Sequence, residues 1–310
     1  MKIALALGGG GARGLAHIGV LKALKQLKIE FNILVGTSAG GLVTALYALH
    51  NDPEKIITAV KSIFSSPEYH ELNLKDFYES GQLGVFEKAI KAFRETKVIT
   101  KGIISKSIIK EEPLRTLLDK FIPKIRIEEL PIKTAYIATD LITGKDVIIR
   151  GGNLKDAVLA TGAIPGVFAP VEIDGMILVD GGITQRMPAM AAMLMGADII
   201  IGVEVGKDIT PKNEYRSAFD IMMRANAITA SRLHHFVNQF ADIIVKPPVQ
   251  QIKWYEFERI DEAVELGYET CLEEMGRIRA LLKGSYKIKK KITKLFKRTP
   301  DPEFVRFYPQ

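Results

Sequence analysis

A serine set where a strand turns into a helix is a candidate nucleophile, and this chain has one in Gly36-Thr37-Ser38-Ala39-Gly40. The apolar run Ile33–Val35 precedes it, and Leu42, Ala45, Leu46 and Leu49 follow at helical spacing. Such a turn lifts the hydroxyl above the sheet, and Gly36 and Gly40 remove side chains that would collide with the tight backbone. The helix that starts there also turns its positive N-terminal end toward a developing oxyanion. The competing reading is structural: serine is a favoured helix N-cap, and G-x-S-x-G also occurs without catalysis.

A second signal, Gly8-Gly9-Gly10-Gly11-Ala12-Arg13-Gly14, follows the apolar run Ile3–Leu7 and contains G-x-G-x-x-G at Gly9, Gly11 and Gly14. A dinucleotide-binding turn would need an acid at the end of the second strand to hold a ribose. Glu30 precedes that strand, which ends instead in Gly36-Thr37-Ser38. The glycines fit an oxyanion hole better, with the backbone N–H groups of Gly9, Gly10 and Gly11 facing an ester oxygen and Arg13 adding positive charge.

A nucleophilic serine also needs a base. Of the five histidines, His17 and His50 fall in or at the end of helices and His70 lies in a Lys- and Glu-rich stretch. His234 and His235 follow the serine in the order an α/β-hydrolase would use, but sit in a long helix with no turn to present them. Asp180, in Val179-Asp180-Gly181-Gly182, ends an apolar strand, and the glycines let the chain turn away beside it. A carboxylate bonded to Ser38 is able to take its proton, although a free Asp titrates near 3.9 and a site dry enough to strengthen it is required. An Asp-Gly-Gly turn with no chemistry is the bland alternative.

Taken together, GGGGARG, GTSAG about twenty-five residues later and DGG well downstream resemble the patatin-like phospholipase family in order and spacing, and GAIPGVFAPV before the DGG is similar to its usual wording. The resemblance spans residues 3–206. It implies a three-layer α/β/α fold and a Ser-Asp dyad that works without histidine, metal or cofactor on acyl esters of lipids. Ser38 is then the nucleophile, Asp180 the base and Gly9–Gly11 the oxyanion loop, with Gly36, Gly40, Gly181 and Gly182 supporting the motifs. One departure is visible: Arg186, in Gln185-Arg186-Met187-Pro188, stands where the family often has Asn. That change leaves open a lipid-binding regulatory module that kept the fold without turnover. A nucleotide-binding protein is a third reading. A calcium-dependent lipase would call for a carboxylate-rich loop, and none lies near the motifs.

The elements that must position these residues read as βα units: strand, glycine turn and helix, then strand, sharp turn and helix, within about fifty residues. Residues 53–129 form a helical excursion between nucleophile and base, a natural place for an acyl-binding wall or lid. Its Phe64, Phe77, Tyr78, Phe86, Phe93, Ile103, Ile104, Ile108 and Ile109 would line a lipid channel or simply a helical core. Strand character returns at Lys133–Thr139 and Val147–Arg150 as a hairpin, and at Glu172–Val179, where Asp174-Gly175 is a strong two-residue turn. After a buried strand at Ile199–Val205, residues 207–310 read as a mostly helical C-terminal extension: helix Ser217–Phe240, a short strand Asp242–Val245 and one helix Phe257–Lys283.

Composition bounds the rest. The 310 residues are 47% apolar and 25% charged, which excludes a disordered or fibrous chain. A single cysteine, Cys271, excludes a disulfide scaffold and points to a reducing, cytoplasmic setting. The opening MKIALAL is too short for an export signal or a membrane span. Charge is placed unevenly: Lys283–Arg298 holds eight Lys/Arg and no acid, one more than the chain's net +7, so the remainder sums to −1. A whole-surface nucleic-acid binder is therefore not expected. Ile288, Ile292, Leu295 and Phe296 share one face of that segment, so residues 283–298 read as an amphipathic helix for reversible contact with an anionic membrane.

Overall fold

The computed structural model describes residues 1–71, 111–215, 217–283 and 302–309. Its strands are β1 (Ile3–Leu7), β2 (Ile33–Thr37), β3 (Lys133–Asp140), β4 (Asp146–Ile149), β5 (Val171–Ile173), β6 (Met176–Asp180), β7 (Ile199–Val203), β8 (Ile243–Val245) and β9 (Val305–Tyr308), all hydrogen-bonded into one sheet. The helices are α1 (Ala16–Gln26), α2 (Ala39–His50), α3 (Pro53–Phe64), α4 (Pro67–Glu71), α5 (Glu111–Asp119), α6 (Leu154–Gly162), α7 (Ala189–Leu194), α8 (Ala218–Asn238), α9 (Ile260–Glu273) and α10 (Met275–Leu282).

The central strands β3, β2, β1, β7 and β8 are parallel, and their apolar runs are buried on both faces, as strands sandwiched between helical layers must be. Leu5 and Leu7 of β1 point into one core with α1, α9 and α10, while Ala4 and Ala6 point to the other face, against the small residues of α7. The fold is thus a three-layer α/β/α sandwich, as the sequence implies. Asp174 and Gly175 both take the left-handed backbone (φ 46 and 77) that a tight β5–β6 hairpin requires.

One feature of the sheet decides where the chemistry can be. Strand β4 occupies one edge of β3, pairing with Tyr136 to Thr139. Along the other edge β2 pairs up to Thr37 opposite Ile137, and β6 runs in from the opposite direction to place Asp180 opposite Ala138. Two strands therefore meet end to end on adjacent residues of β3.

The C-terminal region is mostly helical but not an appendage. Strand β8 pairs with β7, and β9, which the sequence did not signal, pairs in parallel with β4. The expected single helix over Phe257–Lys283 is a short 3₁₀ turn at Phe257–Arg259 followed by α9 and α10; a break at Glu274 turns Met275, Ile278 and Leu281 into the core. Of the helical excursion, α3, α4 and α5 are described. Phe77, Tyr78, Phe86, Phe93, Ile103, Ile104, Ile108 and Ile109 lie outside the described residues, as does the basic segment beyond Lys283.

Helix α9 lies directly on α1. A Cβ at Gly19 of α1 would overlap the carbonyl oxygen of Val264, and one at Gly267 of α9 would overlap that of Ala16. Neither backbone can move without unpacking the core they share. Gly19→Ala and Gly267→Ala should each lower unfolding stability by about 2–3 kcal/mol in chemical denaturation, the usual scale for overpacking.

Candidate active site

Ser38 is the first residue past β2, and its backbone adopts φ 55, ψ −125. A non-glycine residue rarely takes that conformation, and here it is held by its surroundings. A Cβ at Gly36 would stand 2.5 Å from the carbonyl oxygen of Gly40, and one at Gly40 would overlap that of Leu7. Both glycines of the pentapeptide are therefore fixed by close backbone approach. The Ser38 N–H donates to Thr161 Oγ1 (3.0 Å), and that hydroxyl donates to the Ile137 carbonyl (2.6 Å), tying the turn to β3. No side-chain capping bond is made by Ser38, so the helix-cap reading does not describe this residue.

Asp180 arrives at the same level from β6. Its Oδ1 accepts the N–H of Gly182 at 2.7 Å, and the Ser38 side chain interacts with the carboxylate. Gly181 allows the turn, since a Cβ there would stand 2.5 Å from the Ile137 carbonyl oxygen. Burial raises the Asp180 pKa from 3.8 to about 6, against the opposing pull of the Ser38 and Gly182 hydrogen bonds. A carboxylate that titrates near 6 is ionised at neutral pH and is a far better base than a free one.

The glycine loop faces this pair: a Cβ at Gly9 would fall 3.1 Å from that of Ser38. The three expected oxyanion donors are not equivalent, however. The N–H of Gly9 donates to the carbonyl of Arg186 at 2.8 Å. Among the described residues, no carbonyl engages the N–H of Gly10 or Gly11. Gly11 takes φ 59, and Arg13 Nε donates to the Gly10 carbonyl at 3.1 Å, so Arg13 holds the loop rather than extending past it.

Behind the loop stands a polar cluster that the sequence did not reveal. His17, placed in a helix by its pattern, is fully buried and donates Nε2–H to the Gly8 carbonyl at 2.7 Å; burial drives its pKa down to about 4, so it is neutral. Arg186, besides its carbonyl bond to Gly9, gives Nε to the buried Glu204 at 3.1 Å, and Glu204 also accepts from Gly206 N–H and Asn238 Nδ2. The backbone of Arg186 thus supports the loop, while its side chain pairs with Glu204. His234 is buried next to this cluster and is likewise held neutral by burial, near pKa 4. Among the described residues no hydrogen bond joins any histidine to Ser38 or Asp180.

With this geometry in view, the chain was compared with known proteins. The profile of the family described as patatin-like phospholipase matches residues 5–193. The chain belongs to the patatin-like phospholipase family. An uncharacterized NTE family protein of Mycobacterium tuberculosis is 31% identical over 217 residues, covering 69% of this chain and 52% of that protein. A lysophospholipase NTE1 of Pyricularia oryzae is 27% identical over 89% of this chain and 18% of its own length. The chain therefore spans about half, or less, of these relatives. Among solved structures, VipD of Legionella pneumophila shares 16% identity with a TM-score of 0.44 over 88% of this chain and 66% of that one.

A raised pKa has a consequence for stability. Asp180 binds its proton more tightly in the fold than in the unfolded chain, so its contribution is fully present below pH 3.8 and is lost as pH rises toward 6. Asp180→Asn cannot ionise and escapes that loss. Its stability relative to the native chain should climb by about 2 kcal/mol between about pH 4.5 and pH 8 in denaturation experiments. An unchanged difference would mean that Asp180 is not held near 6.

Proposed function

We propose that this member of the patatin-like phospholipase family is a serine acyl hydrolase that cleaves carboxylic esters of lipids through a Ser38–Asp180 dyad. One observation carries the reading: a strained serine at a strand-to-helix turn stands beside a buried carboxylate whose pKa sits near 6. The family match and the likeness to a lysophospholipase support a lipid ester as substrate.

In the first step Ser38 Oγ attacks the acyl carbonyl while Asp180 accepts its proton. The carbonyl oxygen, now negative, is stabilised by the N–H groups of Gly10 and Gly11, which no carbonyl engages among the described residues. Collapse of the tetrahedral intermediate breaks the ester C–O bond, and Asp180 returns the proton to the departing alcohol. Water then attacks the acyl-Ser38 ester with Asp180 again as base, releasing a fatty acid and restoring the hydroxyl. Phospholipase A, lysophospholipase and carboxylesterase substrates all pass through these steps.

Hydrolysis of p-nitrophenyl esters of graded chain length tests the reading. Ser38→Ala and Asp180→Asn should each lower kcat/KM by about a thousandfold or more. For the native chain kcat/KM should rise with pH along an acid limb with its midpoint near 6, the titration of Asp180. Turnover that survives either substitution removes the dyad, and a folded native chain with no turnover favours a lipid-binding module.

A further inference from the structure

Helix α8 carries an apolar surface that nothing in the described structure covers. Ile221, Met222, Met223 and Phe236 are 57%, 53%, 51% and 56% exposed, so the amino-terminal half of the helix is uncovered on more than one side, while His234 and Val237 near its carboxyl end are buried against the body. From Ile221 to Phe236 the surface runs about 22 Å.

Its position and charge identify what it fits. Strand β7 is in register with β1 and β2, so its carboxyl end at Val203 lies at the edge of the sheet where Ser38 stands. Just past that end Glu204 accepts from Asn238 Nδ2 of α8 at 3.1 Å, which ties the part of α8 that carries Phe236 to the same edge. Leu141 and Ile142, just past the carboxyl end of β3, are 55% and 61% exposed at the same edge, and Ile183, three residues past Asp180, is exposed as well. No Asp or Glu occurs between Ile221 and Ala241, whereas the exposed Arg232 does; Arg224 is half-buried and gives Nη2 to the Thr210 carbonyl at 2.7 Å. A basic residue beside exposed apolar side chains complements anionic headgroups over acyl chains, whereas the core of a protein interface is depleted in charge.

We infer that the Ile221–Phe236 face of α8, together with Leu141 and Ile142, is a docking surface for an anionic lipid bilayer that brings the Ser38 edge of the sheet onto the membrane. The choice of lipid as partner rests on the proposed function; the geometry of the surface does not. Docking of this kind delivers an ester to the site without requiring the lipid to leave the bilayer for water.

The full chain with Met222→Cys, labelled with an environment-sensitive fluorophore, tests the inference; the buried Cys271, whose thiol pKa is pushed up to about 12, should not compete for the label. On vesicles containing phosphatidylglycerol the label should shift to the blue, and on phosphatidylcholine vesicles much less. The surface variant Ile221→Ser/Met222→Ser/Phe236→Ser should bind the anionic vesicles at least tenfold more weakly while hydrolysing a soluble short-chain ester at the native rate. Failure to bind vesicles, or binding with the label left in water, overturns the inference. So does light scattering that finds a dimer for the native chain and a monomer for the triple variant, because a second copy then covers the face. A labelled protein that inserts but shows no ester turnover would refute the proposed function and leave this surface standing.

Discussion

The site depends on two strands meeting end to end. Because β2 stops opposite Ile137 and β6 stops opposite Ala138, the residues at their ends, Ser38 and Asp180, are neighbours although 142 positions apart in the chain. The sheet's own hydrogen bonds set that separation, so no flexible side chain has to find its partner. Burial then does the chemical work, lifting a carboxylate that would be a poor base in water to a pKa near 6. The cost is an ionised group in a dry place, which the surrounding core must absorb.

The loop opposite the dyad is held with similar rigidity. Gly8 donates to Val203 and receives His17, Gly9 donates to Arg186, and Gly10 receives Arg13. A buried Arg–Glu pair adds little net stability by itself, but breaking one partner leaves the other uncompensated. The Arg186–Glu204 pair therefore makes the loop's position hard to change, which suits donors that must be preorganised before an oxyanion forms.

Much of this was legible in the sequence, for local reasons. Apolar runs gave β1 and β2, Asp174-Gly175 gave the β5–β6 turn, and the spacing of GGGGARG, GTSAG and DGG gave the family and the dyad candidates. What could not be read depended on tertiary neighbours. Nothing in Gly9 itself says that its N–H is spent on the Arg186 carbonyl. Thr161, which ties the Ser38 turn to β3, is an ordinary helix residue by pattern. Strand β9 is four residues whose partner, β4, lies more than 150 positions earlier. The helical period of α8 was visible, but which of its faces would be left uncovered was not.

The dyad is tested most directly by the reactivity of one hydroxyl. An activated serine attacks the phosphorus of a fluorophosphonate and expels fluoride, and mass spectrometry locates the adduct. The rate of labelling should rise with pH with its midpoint near 6, the adduct should lie on Ser38, and Asp180→Asn should label at least a hundredfold more slowly. Labelling at another residue, or at the native rate in Asp180→Asn, would contradict a serine activated by the buried carboxylate.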